Sequence, residues 1–84
     1  MRSVYLTAPR TLEIREEPVP EITDDEILVN VAYCGICTLE QRLYDGTRMI
    51  HYPIVPGHEA SGVVVSVGSK VKTQVQNGDH VVLD

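Results

Sequence analysis

Ile27-Leu28-Val29-Asn30-Val31-Ala32-Tyr33 runs directly into Cys34-Gly35-Ile36-Cys37, and then into Thr38-Leu39-Glu40-Gln41-Arg42-Leu43-Tyr44-Asp45-Gly46. Within this stretch the apolar period changes from two to about 3.6, the signature of a strand passing into a helix. Ile27, Val29, Val31 and Tyr33 alternate with Leu28, Asn30 and Ala32. Both sets are fairly apolar, so the strand is predicted to lie centrally in its sheet. Thr38 followed by Gln41 fits a capping box, with a hydroxyl at the N-cap and an amide three residues on. Leu39 and Leu43 then share one helix face. Gly46 is predicted to end the helix as its C-cap.

Working outward, Leu12 and Ile14 alternate with Glu13, Arg15 and Glu17. That pattern predicts a half-buried strand with the leucine and isoleucine facing inward. Val63, Val65 and Val67 alternate with Val64 and Ser66 in a third strand. Val4–Thr7, Val71–Val75 and Val81–Leu83 read as shorter strands. Pro18-Val19-Pro20 stops one strand and Asp24-Asp25 makes a turn. Pro53 and Pro56-Gly57 bound a loop that the prolines hold extended. Asn77-Gly78 predicts a type I′ hairpin joining Val71–Val75 to Val81–Leu83. Many short strands and one short helix predict a mainly β fold, a small and partly open β-barrel.

Eighty-four residues allow one modest core, because a chain of this size buries only roughly 60–65% of its unfolded surface. They leave no room for a separate nucleotide-binding domain, which needs on the order of 100–150 residues. Seven basic against twelve acidic residues give a net charge of −5, which argues against a nucleic-acid-binding surface. The acids gather early, at Glu13, Glu16, Glu17, Glu21, Asp24, Asp25 and Glu26, and read as a solvated face. No apolar run approaches eighteen residues, so no membrane partner is expected. Met1-Arg2-Ser3-Val4-Tyr5 lacks the apolar stretch of a signal peptide. Two cysteines make no disulfide scaffold, and a reducing cytoplasmic location is expected.

Three clusters could carry chemistry. In Cys34-Gly35-Ile36-Cys37 no second cysteine pair completes a four-cysteine site, and no βαβ context supports a thioredoxin-like role. Cys37 stands at the mouth of the capped helix, where N–H groups and the dipole favour a thiolate, the form zinc binds. A buried structural thiol is the equal alternative for Cys37, and Cys34 reads as a packing residue. Gly57-His58-Glu59 is the second cluster: Gly57 permits an unusual backbone angle before His58, and Glu59 supplies a carboxylate of the kind that steers metal ligands. The third is Gly78-Asp79-His80-Val81, with His80 read as a surface residue. His51, before Tyr52-Pro53, reads as exposed, with a place on a pocket rim as its functional alternative.

The run Gly57-His58-Glu59-Ala60-Ser61-Gly62, continued by Gly68 six residues later and Val71 three beyond that, matches the zinc-containing alcohol dehydrogenase signature. Leu12-Glu13-Ile14-Arg15-Glu16 with Pro18 and Pro20, Glu26-Ile27-Leu28-Val29, the Cys34–Cys37 run and Gly78-Asp79-His80-Val81 follow in that family's order. The chain thus resembles the N-terminal, GroES-like part of the zinc-dependent medium-chain dehydrogenase/reductases, across essentially its whole length. The resemblance implies a GroES-like barrel and makes Cys37 and His58 the cysteine and histidine ligands of a catalytic zinc. It makes Glu59 the glutamate beside the metal, a neighbouring or exchanging ligand. It implies zinc and either NAD or NADP as cofactors, and a small alcohol or carbonyl compound as substrate.

Several positions depart from that pattern. The hydroxyl often found two residues after the cysteine ligand, which relays the substrate proton, is here Leu39. The histidine often found five residues after it is Arg42, which stays protonated. The usual aspartate three residues after it is Glu40. A different proton route, or a substrate other than a simple alcohol, is therefore expected. The family's third zinc ligand, its structural-zinc lobe and its Rossmann domain would all lie after Asp84. Residues 1–84 are therefore expected to be a partial GroES-like domain that binds zinc weakly or not at all. They are expected to be inactive in isolation and prone to self-association through uncovered apolar edges. Two other readings stand beside this one: a zinc-free relative of the quinone reductases, and a non-catalytic module like a co-chaperonin.

Overall fold

In the computed structural model, which describes residues 1–48 and 50–83, the elements run β1 (Arg2–Ala8), β2 (Thr11–Glu16), β3 (Ile27–Gly35), α1 (Thr38–Asp45), β4 (Glu59–Val67) and β5 (His80–Leu83). The fold is mainly β, with one short helix, as the sequence predicts. The described strands form two separately hydrogen-bonded sheets, β1-β2 and β3-β4-β5, and close no barrel. The chain divides into two compact units, each interrupted in sequence: residues 1–19 with 36–57, and residues 20–35 with 58–84.

In the first unit, β1 and β2 pair antiparallel, with Tyr5 opposite Glu13 and Leu6 opposite Leu12. The turn between them places Arg10 in the left-handed region, at φ 62°. Arg10 donates its N–H to the carbonyl of Tyr44 at 2.6 Å. Leu6 exchanges two backbone hydrogen bonds with Ile54, at 2.8 and 3.0 Å, so the proline-bounded loop lies along β1. Leu6 is 1% exposed and, with Leu43 of α1, forms the core of this unit. Gly46 adopts φ 84° as the helix C-cap and donates its N–H to Arg42 O. The Tyr52 hydroxyl donates to Leu43 O at 2.9 Å and ties the loop to the helix end.

The expected inward orientation of Leu12 and Ile14 is corrected by their exposures of 55% and 67%. They share a face with Val4 and Leu6, as alternation requires, but that face is covered only at Leu6. The opposite, polar face closes on itself. The Tyr5 hydroxyl donates to Glu17 Oε1 at 2.5 Å, and the Arg15 guanidinium lies 4.1 Å from the centroid of the Tyr5 ring. Arg15 Nε also donates to Glu13 Oε1 at 2.9 Å. Planar guanidinium over an aromatic face is a favourable stack.

In the second unit, β4 pairs with β3 on one side and β5 on the other, so β4 is the central strand and β3 an edge. The expectation for β3 is corrected by this order. Alternation reports how apolar each face is, and Val63-Val64-Val65 is as apolar as Ile27-Leu28-Val29, so composition could not choose between them. Val64, 2% exposed, is the core residue of the unit. The ladder carries two register shifts, between Leu28 and Val29 and between Val31 and Tyr33. These are bulges, which increase local twist.

Val71–Val75 forms no strand. Only its two terminal valines are strongly apolar, so it offers no continuous apolar face to lay beside β5, which remains an edge strand of its sheet. Gly78 donates to Val64 O at 2.8 Å and Val64 to Asp79 O at 2.9 Å, ahead of the β5 pairing. The Asn77-Gly78 turn is real but of another type. Asp79 N–H closes on Gln76 O at 3.1 Å, and Gly78 alone has positive φ, at 91°. Positive φ at the second central residue only is the pattern of a type II turn. No helix among the described residues is long and apolar enough to cross a membrane.

Candidate metal centre

Cys37 is the N-cap of α1, with extended backbone angles of φ −113° and ψ −173°. Its Sγ accepts the Leu39 N–H at 3.3 Å. Its own N–H donates to Glu40 Oε2 at 2.9 Å, and its thiol donates to the same oxygen at 2.8 Å. These bonds make a reciprocal capping box between Cys37 and Glu40. The expected box of Thr38 and Gln41 is thus displaced by one residue. An ionised carboxylate is a stronger acceptor than a neutral amide and is favoured in the first turn by the helix dipole. Glu40 therefore outcompetes Gln41 and sets the start of the helix one residue earlier.

Gly57, at φ 111°, has the positive angle expected before His58. A side chain is strained there, so glycine suits the sharp entry into β4. His58 Nε2 lies 3.4 Å from Glu59 Oε1, and both side chains are about half exposed. Glu59 opens β4 directly opposite Gly35, the last residue of β3. A Cβ at Gly35 would stand 3.2 Å from Glu59 Oε2, so the glycine of the Cys34–Cys37 run leaves the space this carboxylate occupies.

The remaining sequence candidates fall elsewhere. Cys34 lies in β3 opposite Ala60 and is exposed, which corrects its reading as a packing residue. Residues 30–36 are all exposed, so neither face of this end of β3 is covered. His51 and His80 are both exposed, the latter opening β5 opposite Val63. Leu39 is half-buried and Arg42 exposed on α1. Glu40 is the residue whose part sequence reading understated. Its signal was present as Cys37-x-x-Glu40, but cysteine is not among the usual N-cap residues.

The molecule therefore defines a class first: a mainly β protein carrying cysteine, histidine and glutamate side chains, residue types that zinc accepts as ligands. Residues 23–84 match the family model of the alcohol dehydrogenase GroES-like domain, and the chain belongs to that family. It is 38% identical over 84 residues to D-arabinitol dehydrogenase 1 of Uromyces fabae, covering 100% of this chain and 24% of that protein. It is 39% identical over 83 residues to zinc-type alcohol dehydrogenase B of Aspergillus flavus, covering 98% of this chain and 19% of that protein. The crystal structure of galactitol-1-phosphate dehydrogenase from Escherichia coli superposes with a TM-score of 0.89 at 34% identity, covering 98% of this chain and 24% of that one. The chain thus spans about a quarter of the length of these relatives.

Proposed function

We propose that these residues are the zinc-ligand-bearing N-terminal part of a zinc-dependent, NAD(P)-linked oxidoreductase. It would interconvert an alcohol or polyol with a carbonyl compound. Cys37, His58 and Glu59 are the residues that would hold the metal. The observation that carries this reading is that residues 23–84, which include Cys37 and Gly57-His58-Glu59, match the alcohol dehydrogenase GroES-like domain. The donor set supports it, since thiolate, imidazole and carboxylate are the ligands zinc takes in catalytic sites.

The chemistry a bound zinc supplies is stabilisation of negative charge developing on the substrate oxygen as hydride is exchanged with the nicotinamide. The chain's own residues hold and orient the donors. The Leu39 N–H supports the sulfur from the helix side. Glu59 lies within reach of the His58 ring. Leu39 offers no exchangeable proton and Arg42 no basic atom, so the substrate proton leaves by another route. Residues 1–84 carry no Gly-x-Gly-x-x-Gly, so on this reading they supply the metal donors rather than the nicotinamide site.

Metal analysis tests the reading. Zinc bound by the protein should be lost on Cys37→Ala and on His58→Ala. Zinc binding that neither substitution changes would overturn it. Nicotinamide-dependent quinone reduction by a zinc-free protein would favour the quinone-reductase relationship instead.

A further inference from the structure

Among the described residues, Glu40 is the one charged side chain that is buried, at 8% exposure. A buried carboxylate is costly unless its oxygens are bonded. Here Glu40 Oε2 faces Cys37 twice, through the backbone N–H at 2.9 Å and the thiol at 2.8 Å. The cap residue of this helix is thus the same residue to which the metal reading assigns a zinc-ligating sulfur.

We propose that Glu40 is a positioning residue for that sulfur. The inference rests on the assignment of Cys37 as a zinc ligand and goes beyond it by naming what aims the ligand. A cysteine side chain has three staggered χ1 wells. Two contacts restrain it: the Leu39 N–H reaches Sγ at 3.3 Å, and Glu40 holds the Cys37 backbone from which the side chain departs. A sulfur that ligates zinc gives up its proton, and with it the thiol bond to Glu40. The backbone N–H bond to Glu40 does not depend on that proton, so the carboxylate continues to hold the cap. Groups behind a ligand that fix its orientation commonly affect metal affinity as strongly as this role demands.

Zinc alone is the probe, titrated into the full chain against a chelator of known affinity. Glu40→Leu fills the buried space and removes the acceptor, and should weaken zinc binding by about 10- to 100-fold. Glu40→Gln keeps an oxygen able to accept the Cys37 N–H and should return most of the affinity. With cobalt in place of zinc, the thiolate-to-metal charge-transfer band should keep its position in Glu40→Gln and shift in Glu40→Leu. Loss of helix stability alone would not produce that shift at saturating metal. Circular dichroism checks each variant, and Glu40→Met replaces Glu40→Leu if the latter does not fold.

Wild-type affinity and an unshifted band in the folded apolar variant would overturn the positioning role while leaving Cys37 a ligand. Zinc binding indifferent to Cys37→Ala and His58→Ala would instead overturn the metal assignment, and the inference with it.

Discussion

Gly35 and Glu59 face each other at the end of the β3–β4 ladder, and a Cβ on Gly35 would stand 3.2 Å from Glu59 Oε2. The neighbour in that contact is the end of a flexible side chain, so the backbone need not move. Gly35→Ala should therefore leave Tm nearly unchanged while displacing the Glu59 carboxylate. If Glu59 serves the metal, zinc affinity should fall on the order of 10-fold. Equal affinity in the two proteins would remove Glu59 from the site.

Leu39 stands where a relay hydroxyl would stand. If these residues serve a zinc-dependent oxidoreductase as proposed, Leu39→Thr should raise its turnover and alter the pH–rate profile, because it supplies an exchangeable proton near the proposed substrate oxygen. Steady-state kinetics across pH measure this. An unchanged rate and profile would show that loss of the relay is not what distinguishes this protein.

Leu6 and Leu12 are register partners with opposite burial, 1% against 55% exposed. Leu6→Ala should cost about 2–5 kcal/mol. Leu12→Ala should cost less than about 1 kcal/mol. Thermal or urea unfolding separates them easily, since about 1 kcal/mol moves Tm by roughly 4–8 °C in a domain of this size. Comparable losses would mean that the face carrying Leu12 is covered in solution.

The acid limb of stability has named sources. The Tyr5 hydroxyl, first, and Ser3 hold the Glu17 carboxyl below its ordinary value of 4.5. Arg15 does the same for Glu13, and the Thr23 N–H for Glu26. The Thr47 N–H lowers Asp45 from 3.8. Each of these groups binds its proton less readily folded than unfolded. Their contribution is therefore full above the ordinary carboxylate values and is lost as pH falls through the lowered folded ones. Glu17→Gln should leave a shallower decline of Tm below about pH 4.5. An acid limb of unchanged slope would show that the Tyr5–Glu17 bond does not differ between folded and unfolded chains.

Much of this was legible from residues. Alternation located β2, β3 and β4, short apolar runs marked β1 and β5, and the leucine spacing with Gly46 located α1. Helix position marked Cys37, and the Gly57-His58-Glu59 run marked His58 and Glu59, as candidates; their roles as metal ligands came from the family resemblance. The misjudged features share a cause. Which strand is central and whether Leu12 is covered both depend on what occupies the neighbouring edge or face. A one-residue displacement of the helix cap turned on a competition between Glu40 and Gln41 that pattern rules weigh equally.

The order of residues alone determined the period of each segment and the chemical identity of every donor, because these are properties of neighbours along the chain. Only the folded arrangement decided that β4 has two partners, that Leu6 is buried while Leu12 is not, and that a buried carboxylate holds the cysteine at the helix cap. Hydrogen-bond edges and buried faces are claimed once each. Which segment claims them is a competition among residues distant in sequence.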